Sequence, residues 1–354
     1  MRKTIDIPEG ARILISRSDK LGDLVLALPF VESMKLRYSE CQVEVLASLY
    51  ASPILENNRL IDKIVRVQND QLLSNKLYKK DLLHRLKLAK YDVVIALYPE
   101  RQISGLFYKA GIPHRIGTAG RFHSVLFNYR LFHSRKSNRK HESQYNLDFL
   151  RFFRPGPTAT TPAVYPTEKE LRNARRVLRE VGIEGEFVVL HPGSGGSAEC
   201  WPPEQFLQLY RKLRDAGLNI VVSGSDQEGE MIDEIAWRMN LEIKKITGAT
   251  DLRTLAAVLS LASTVVSNST GPLHLAVAVG TKVVGLYPSR EVMSPVRWGP
   301  LGAGHQVIQP AVSRCTCPPK HCRCMESIPV DQVCRKVLTV FRDVVGRGIS
   351  RMLS

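Results

Sequence analysis

Short apolar runs alternate with amphipathic stretches through the first half of the chain. The runs predict β-strands at residues 11–15, 43–47, 63–67 and 92–97. A helix is predicted from Asp23 to Pro29, and a longer helix over 72–90 has on one side Leu82, Leu83, Leu86 and Leu88. Strands that alternate with helices are typical of parallel βαβ units, so this half is predicted to be an α/β domain.

The same alternation restarts in the second half. It predicts helices at 168–180, from about 203, at 252–261 and at 275–279, and strands at 187–190, 219–222, 264–266 and 282–287. A last helix runs from Val330 to about Val345 and can pack back on the first half. Ligands of such folds bind beyond the carboxyl ends of the strands, so we expect a ligand in a cleft between the two halves.

The two halves are joined by a segment with little regular pattern. Residues 154–162 contain three prolines among small and turn-forming residues, a composition typical of a linker. A chain of 354 residues is also too long for one compact core. We therefore predict domains at 1–154 and 164–330, a linker at 155–163 and a C-terminal helix at 331–354.

The composition is that of a soluble globular protein, with 44% hydrophobic and 24% charged residues. No apolar run is long enough to predict a membrane span, and the first ten residues lack the apolar core of a secretory signal. Seven cysteines in a chain of this length do not indicate a disulfide scaffold. A reducing compartment is therefore expected.

Positive charge is concentrated in the first half. Residues 1–160 contain 27 Lys and Arg against 15 Asp and Glu, whereas the remainder contains 23 against 19. Within 101–160, 11 basic residues accompany 2 acidic ones. Such a bias indicates an anionic partner, namely a nucleic acid, an acidic membrane surface or a phosphorylated substrate. A charge that serves only solubility is the alternative.

Basic and aromatic residues are mixed in the segment 112–140. They are Arg121, Arg130, Arg135, Lys136, Arg139 and Lys140 with Phe122, Phe127, Tyr129 and Phe132. This mixture suits an anionic lipid surface or a nucleic acid, although each aromatic residue taken singly is expected in the core. No nucleic-acid motif accompanies it, so only charge supports binding to DNA or RNA, and no nucleic-acid partner is predicted.

Three polar turns follow predicted strands of the second half. They are Gly193-Ser194-Gly195, Gly224-Ser225-Asp226 and Ser269-Thr270-Gly271, the last of which leads into Pro272-Leu273-His274. A helix that begins after such a turn leaves backbone N–H groups unpaired, and with the helix dipole these favour an anion. The alternative is an ordinary Ser or Thr cap. Three such turns on one sheet edge favour a phosphate-bearing ligand.

The sequence lacks the common motifs for phosphate and metal binding. It has no P-loop pattern, and no G-x-G-x-x-G follows the first strand. Since it also has no D-x-D, a metal-bridged diphosphate has no obvious protein ligands. Helix N-termini, hydroxyls, His and Lys or Arg would then neutralise a diphosphate. No cofactor is predicted to be required, although Mg²⁺ without evident protein ligands is compatible with the sequence.

Asp23 is the carboxylate with the clearest chemical potential. It lies at the turn from the first strand to the first helix, where it can act as a general base towards a hydroxyl nucleophile. The alternative is an acid that only satisfies the dipole at a helix N-terminus.

Four cysteines cluster near the end of the second half. Cys315, Cys317, Cys322 and Cys324 form the pattern C-x-C-x4-C-x-C, with His321 among them. Zinc accepts such ligands, although C-x2-C spacing is commoner. A packed or labile cysteine loop is the alternative.

Several motifs occur in one order over nearly the whole chain. They are Arg12-Ile13-Leu14-Ile15…Leu21-Gly22-Asp23…Leu28-Pro29, Lys140-His141-Glu142…Asn146-Leu147, His191-Pro192-Gly193-Ser194…Trp201-Pro202, Ser267-Asn268-Ser269-Thr270-Gly271-Pro272-Leu273-His274 and the tail Cys324-Met325-Glu326-Ser327-Ile328. Each motif is weak alone. Together they resemble glycosyltransferase family 9, which contains the lipopolysaccharide heptosyltransferases.

The resemblance implies a GT-B fold, in which two Rossmann-like domains with parallel sheets face a central cleft. It implies an inverting transfer of a heptose, or a related sugar, from an ADP-activated donor to a lipopolysaccharide-core-type or other lipid-linked saccharide. Asp23 matches the catalytic base of the family. The implied donor-binding residues are Ser194, Glu228, Thr250, Ser269, Thr270, Gly271 and His274. The anionic glycolipid acceptor implies a protein of the cytoplasm that is peripheral at the inner face of the membrane, which it would meet through its basic 101–140 region.

Two positions depart from the family pattern. Many members carry Asp where Ser269 stands, and a Lys that meets the phosphates usually precedes the Trp-Pro pair, where this chain has Glu199. A Glu beside a diphosphate would repel it, so Lys282 or Arg290 would have to substitute, or the donor sugar differs, or activity is weak. A nucleotide-sugar-binding or lipid-binding protein without transferase activity is therefore the alternative function.

Overall fold

The computed structural model describes residues 4–196, 199–312, 315 and 323–352. It divides into two compact units, Met1–Ala163 and Val164–Ser354. Each unit is built on one parallel sheet. The prediction of an α/β fold with two parallel sheets is therefore confirmed.

The first unit contains a six-stranded sheet. Its strands are β1 Arg12–Ser16, β2 Gln42–Ser48, β3 Lys63–Val67, β4 Val93–Ala96, β5 His114–Thr118 and β6 Tyr129–Leu131, in the spatial order β3-β2-β1-β4-β5-β6. Its helices are α1 Leu21–Val25, α2 Leu28–Arg37, α3 Asn69–Ser74, α4 Lys76–Ala89, α5 Arg101–Lys109 and α6 Glu142–Leu147. The central strands are continuous apolar runs because a parallel sheet buries both faces.

Two predicted helices of this unit are divided in the structure. The helix predicted from Asp23 to Pro29 is instead α1 and α2, which end at Val25 and Arg37. The helix predicted over 72–90 breaks at Asn75, because the Asn75 side chain accepts hydrogen bonds from two N–H groups of the first turn of α4. Placing Leu88 on the buried side was wrong, since its side chain is exposed, whereas Leu82 and Leu86 are buried.

The aromatic residues of the segment 112–140 separate into two groups. Phe127 is buried in the core of the first unit, and Tyr129 is half-buried with its ring against Phe152. Phe122 and Phe132 are 92% and 80% exposed. The segment also contains β5 and β6, which the apolar pattern did not predict.

The second unit contains a five-stranded sheet. Its strands are β7 Phe187–His191, β8 Asn219–Val222, β9 Thr264–Asn268, β10 Val283–Leu286 and β11 Gln306–Ile308, in the spatial order β11-β10-β9-β7-β8. Its helices are α7 Glu168–Glu180, α8 Pro203–Asp215, α9 Asp226–Arg238, α10 Leu252–Leu261, α11 Gly271–Ala278, α12 Pro295–Trp298 and α13 Val330–Met352. In the described part of the chain, no helix is both long and apolar enough to cross a bilayer.

The C-terminal helix α13 packs within the second unit. It contacts α8, β9 and β10, and it buries Val333, Val337 and Val340 in the core of that unit. The expectation that it also packs on the first half stays a prediction.

Glu170 fixes the start of α7 and pairs with a buried arginine. Its backbone N–H donates to the Thr167 hydroxyl at 3.3 Å, and its Oε2 accepts from the Thr167 N–H at 2.6 Å. Arg253 donates to the same carboxylate from Nε at 2.8 Å and from Nη2 at 2.7 Å. The hydrogen bonds from Arg253 lower the pKa of Glu170 to about 2, although burial opposes them.

Glu170→Gln is expected to lower the free energy of unfolding of the second unit by about 1–3 kcal/mol at pH 7. A depressed carboxyl pKa gives stability that is present above the ordinary value of 4.5 and is lost as the pH falls towards about 2. The difference in the free energy of unfolding between variant and wild type should therefore shrink below pH 4.5. All three tryptophans, Trp201, Trp237 and Trp298, lie in the second unit, so denaturation followed by tryptophan fluorescence measures it.

Glu168→Gln is the matched control, since Glu168 is an exposed acid in the same first turn of α7. It should change the free energy of unfolding by no more than about 0.5 kcal/mol. Equal losses for the two variants would contradict the role assigned to the Arg253 pair.

Candidate active site

Asp23 lies at the carboxyl edge of the first sheet, in the first turn of α1. Its side chain is 16% exposed, and its Oδ1 accepts a hydrogen bond from Nη2 of Arg17, a residue in the loop that leaves β1. The structure therefore places Asp23 at the turn that the sequence predicts. Its role as a base stays a prediction.

Arg17 is buried and gathers three carboxylates around its guanidinium. Nε donates to Asp19 Oδ1 at 2.8 Å, Nη1 donates to Glu142 Oε1 at 3.1 Å, and Nη2 donates to Asp23. The Arg17 side chain is only 1% exposed, and its Cζ lies 5.5 Å from the centre of the Tyr98 ring. A buried cation of this kind holds the Asp23 carboxylate in one orientation.

The titration of this cluster follows from its burial and charge. Burial alone would lower the pKa of Arg17, but Asp19, Asp23 and Glu142 outweigh it and raise that pKa. Burial raises the pKa of Asp19 to about 6, with Arg17 opposing the shift and Asp23 adding to it. Burial therefore makes Asp19, the acid beside Asp23, easier to protonate than an exposed aspartate.

Helix α6 supplies the residues that brace Arg17 from the other side. Asn146 Oδ1 accepts from Arg17 Nη1 at 3.1 Å and from Arg135 Nη2 at 3.2 Å, and its Nδ2 donates to the Leu26 carbonyl at 3.0 Å. Arg135 Nε also lies 3.0 Å from Glu142 Oε1. Sequence reasoning gave Glu142 and Asn146 no role and placed Arg135 only in the basic segment 112–140. The available signal was the motif Lys140-His141-Glu142…Asn146-Leu147, which places Glu142 and Asn146 one helical turn apart.

In the second unit, the turn Ser269-Thr270-Gly271 joins β9 to α11 at the carboxyl edge of the sheet. Thr270 is buried and extended, and it precedes α11 without a side-chain cap hydrogen bond. Its hydroxyl instead lies 3.2 Å from the Ser267 hydroxyl. The Thr270 side chain is therefore not an ordinary helix cap. The first N–H groups of α11 remain suited to an anion.

Ser269 and His274 have defined surroundings at the same turn. The Ser269 N–H donates to the Leu286 carbonyl at 3.0 Å, and its side chain hydrogen-bonds to Tyr287. Burial raises the pKa of Tyr287, whose hydroxyl donates to the Trp298 carbonyl at 2.8 Å. His274 is buried, with its ring centre 6.4 Å from that of Trp298. The turn is thus tied to the core by hydrogen bonds from Ser269.

Glu228 ties the start of α9 to the loop after β7. It forms a capping box with Ser225, and its Oε1 accepts from the Gly195 N–H at 3.5 Å. A Cβ on Gly193 would lie 1.9 Å from Glu228 Oε1, so only glycine permits this approach. Burial alone would raise the pKa of Glu228, but hydrogen bonds from Ser225 and the neighbouring His191 outweigh it and lower that pKa.

Ser194 and Thr250 lie at the same edge of the sheet. Ser194 is half-buried in the loop after β7 and hydrogen-bonds to Cys200. Thr250 is half-buried just before α10, two residues after Gly248, whose N–H donates to the Gly224 carbonyl at 3.0 Å. All seven predicted donor-binding residues therefore follow carboxyl ends of strands or begin helices on one edge.

Asn268 joins two of the predicted motifs, and sequence reasoning gave it no role. The side chain at the end of β9 accepts from the Trp201 N–H at 2.9 Å and donates to the Pro192 carbonyl at 2.7 Å. It is fully buried. Asn268 thereby fixes the loop after β7 against the Ser269-Thr270-Gly271 turn.

Glu199 pairs with Arg290, one of the two basic residues proposed from the sequence to replace the lysine of the family. Arg290 Nη2 lies 2.8 Å from Glu199 Oε1. Lys282 immediately precedes β10, which puts it at the amino edge of a parallel sheet, and it donates to the Ala303 carbonyl at 2.8 Å. Lys282 is therefore at the wrong edge to act beside the turns, whereas Arg290 is at the right one.

The predicted zinc pattern lies partly outside the described residues, since these exclude Cys317, His321 and Cys322. Cys324 is buried in the core of the second unit, and the partly buried Cys315 packs against that core. Within the described ranges, no three His, Cys, Asp or Glu side chains are grouped closely enough to hold a metal ion.

Comparison with known proteins identifies the family. Residues 80–326 match the sequence profile described as glycosyltransferase family 9 (heptosyltransferase). A protein of Haemophilus influenzae whose name gives only the class glycosyltransferase is 28% identical over 300 residues, which are 82% of this chain and 86% of the relative. The protein is therefore a glycosyltransferase, as predicted, and it belongs to glycosyltransferase family 9.

Solved structures agree in fold. A family 9 glycosyl transferase from Veillonella parvula has a TM-score of 0.81 at 19% identity and covers 97% of this chain and 99% of its own. The ADP-heptose lipopolysaccharide heptosyltransferase II of Escherichia coli has a TM-score of 0.77 at 20% identity, over 94% and 99% of the two chains. The predicted GT-B fold class is confirmed by this likeness.

Proposed function

We propose that this glycosyltransferase moves a heptose from an ADP-activated donor to a saccharide of the lipopolysaccharide-core type, with inversion at the anomeric carbon. The observation that carries the proposal is the uncapped amino terminus of α11 at the edge where the three polar turns gather. The family description and the name of the Escherichia coli relative support the choice of heptose and ADP.

The donor's diphosphate is proposed to bind the turn that begins α11. Backbone N–H groups of Thr270 and Gly271 would donate to phosphate oxygens, with Ser269 and His274 beside them. Ser194 would contact the donor from the loop after β7, Glu228 would meet the ribose, and Thr250 would lie near the adenine. Charge on the leaving diphosphate grows in the transition state, so donors aimed at it lower the barrier. We propose that transfer needs no metal, because these groups offset that charge.

Asp23 is proposed to be the general base. An acceptor hydroxyl oxygen forms a bond to the anomeric carbon while the bond from that carbon to the diphosphate oxygen breaks. The bonding electron pair leaves with the diphosphate, and the hydroxyl proton passes to Asp23. Arg17 holds Oδ1 of this carboxylate, so Oδ2 is the oxygen proposed to take the proton. The transition state resembles an oxocarbenium ion, as in glycoside hydrolysis.

Release of ADP from ADP-heptose, with and without a lipopolysaccharide-core acceptor, tests this function. A transferase releases ADP faster when the acceptor is present, because the acceptor hydroxyl is the nucleophile that displaces the diphosphate. Tight ADP binding without acceptor-dependent release would favour the alternative of a nucleotide-sugar-binding protein. Release from a different nucleotide sugar would favour a transferase with another donor.

We also propose that the first unit meets the acidic inner face of the cytoplasmic membrane, where a lipid-linked acceptor would lie. Not every basic residue of 101–140 is available for this contact. Arg115 donates to the Leu126 carbonyl and lies over the Tyr108 ring, and Arg135 braces Glu142. Exposed side chains include Arg101, Lys109, Arg121, Arg130, Arg139 and Lys140, although Lys140 is paired with Asp148 at 2.8 Å. Each basic side chain near an anionic surface contributes about 1 kcal/mol.

Phe122 is the apolar side chain best suited to enter the interface, since it is 92% exposed beside Arg121. Phe122→Ser is expected to weaken binding to vesicles with anionic headgroups by about fivefold or more. The substitution removes the aromatic ring that would be buried in the apolar part of the interface. Co-sedimentation measures this. Trp237→Ser is the matched control, since Trp237 is 82% exposed on α9 of the second unit. Equal binding by both variants and wild type would contradict the proposed surface.

A further inference from the structure

An ion pair occupies the edge of the second sheet beside the proposed diphosphate site. Glu199 precedes Trp201 by two residues, and the Trp201 N–H is fixed to the Asn268 side chain at the end of β9. Arg290 follows the last residue of β10, Leu286, by four residues. The carboxyl ends of β9 and β10 are neighbours in the sheet. The pair therefore lies at the edge where the Ser269-Thr270-Gly271 turn begins α11.

The pair is largely withdrawn from water. Arg290 Nη2 lies 2.8 Å from Glu199 Oε1, and the two side chains are 21% and 14% exposed. A half-buried carboxylate alone at this edge would repel an incoming diphosphate, because the field of a buried charge is weakly screened. Arg290 cancels that charge. The same guanidinium can serve two acceptors, since its planar fork carries five N–H donors and matches carboxylate and phosphate oxygens alike.

We propose that Arg290 binds the diphosphate of the sugar donor and that Glu199 is the positioning residue that holds its guanidinium in place. The proposal rests on the function proposed above and names the side chain that supplies positive charge to that site. Two other basic residues that the structure describes in this region are less suited. Lys282 is at the amino edge of the sheet, and the Arg297 guanidinium lies 4.7 Å from the centre of the Trp298 ring.

In this arrangement the Glu199 carboxylate favours diphosphate binding, because it orients the Arg290 guanidinium. Held by Glu199, the arginine loses less side-chain entropy when the diphosphate binds, because its fork is already oriented. Removal of Arg290 does two things at once: it deletes a phosphate contact and it leaves Glu199 as an uncompensated negative charge. A second substitution that neutralises Glu199 should therefore recover the part of the loss that comes from this charge, whereas the part that comes from the lost phosphate contact should remain.

Calorimetric titration with ADP and with adenosine tests the proposal on the full chain. Arg290→Gln should weaken ADP binding by about tenfold to a hundredfold and leave adenosine binding within about twofold, because only the diphosphate contacts the arginine. Arg290→Lys should retain part of the ADP affinity. In the Arg290→Gln background, Glu199→Gln should restore ADP affinity by about threefold or more by removing the repulsive charge.

Arg176→Gln is the matched control, since it removes the same charge from an exposed pair with Glu180 on α7 of the same unit. Its ADP affinity should equal that of the wild type. Midpoints of thermal unfolding without ligand separate a folding defect from a binding defect, and the double variant keeps the test valid if Arg290→Gln unfolds.

Different results overturn different statements. Wild-type ADP affinity in the Arg290→Gln variant, or no recovery in the double variant, would overturn the role of this pair while leaving the proposed donor site intact. A loss of ADP affinity in Arg297→Gln but not in Arg290→Gln would assign the contact to Arg297. Absence of ADP binding by the wild type would instead remove the proposed function itself.

Discussion

Replacement of Asp23 by Asn is expected to lower turnover by about 10²–10⁴-fold while ADP affinity stays within about twofold. Asn keeps the size of the side chain and an oxygen that can accept from Arg17, but it cannot take a proton from the acceptor hydroxyl. The donor's diphosphate is proposed to bind in the second unit, so its binding should not change. Steady-state kinetics and ADP titration measure the two quantities separately.

Asp70→Asn is the control for the simpler explanation that Asp23 only satisfies a helix dipole. Asp70 is an exposed acid in the first turn of α3, in the same unit. Its loss should change the free energy of unfolding by about 0.3–1 kcal/mol and leave turnover unchanged. If Asp23→Asn behaves like Asp70→Asn, or if it loses ADP affinity as much as turnover, Asp23 is not the base.

Arg17→Met is expected to lower the free energy of unfolding of the first unit by about 3–5 kcal/mol at neutral pH. The substitution leaves Asp19, Asp23 and Glu142 together in a buried cluster whose shared cation is gone. Without that cation, burial and mutual repulsion raise the pKa of these carboxyl groups in the folded state. Stability of the variant should therefore fall as the pH rises, and the difference from wild type should be larger at pH 8 than at pH 5.

Hydrogen exchange of peptides from β1 and α6 measures this effect, since the tryptophans all lie in the other unit. Arg66→Met provides the comparison, because the Arg66 and Glu56 side chains of its ion pair are each 42% exposed. An exposed pair contributes only about 0–1 kcal/mol. Similar protection factors for the two variants would mean that Arg17 does not hold the cluster together.

The apolar pattern predicted elements well where burial determines the residue types. Strand β8 has the predicted bounds, 219–222, and three of its four residues are buried, because a run of apolar residues in a parallel sheet has few alternatives. It failed where one polar side chain decides a boundary, as Asn75 does between α3 and α4. It also failed for β6, a three-residue strand that pairs only with β5 at the edge of the sheet. So short a strand leaves almost no periodic signal.

The candidate site was predictable only in part, for a related reason. Asp23 and Thr270 stand at turns between strands and helices, so local sequence places them at the correct edge. The partners that give them their environment are distant in sequence. Arg17 meets Glu142 across 125 residues, and Asn268 meets Trp201 across 67. No local pattern determines such contacts, and the pairing of Glu199 with Arg290 is another example.

The central claim is that the carboxyl edge of the second sheet binds the diphosphate of an ADP-linked sugar. A thermal-shift panel of ADP, UDP, GDP, CDP and adenosine, run with EDTA, tests it directly. A ligand at a hundredfold its Kd stabilises the folded state by about 2.7 kcal/mol, which shifts the unfolding midpoint measurably. We predict the largest shift for ADP and a much smaller one for adenosine. No shift with any nucleoside diphosphate, or a shift with adenosine equal to that with ADP, would contradict the claim.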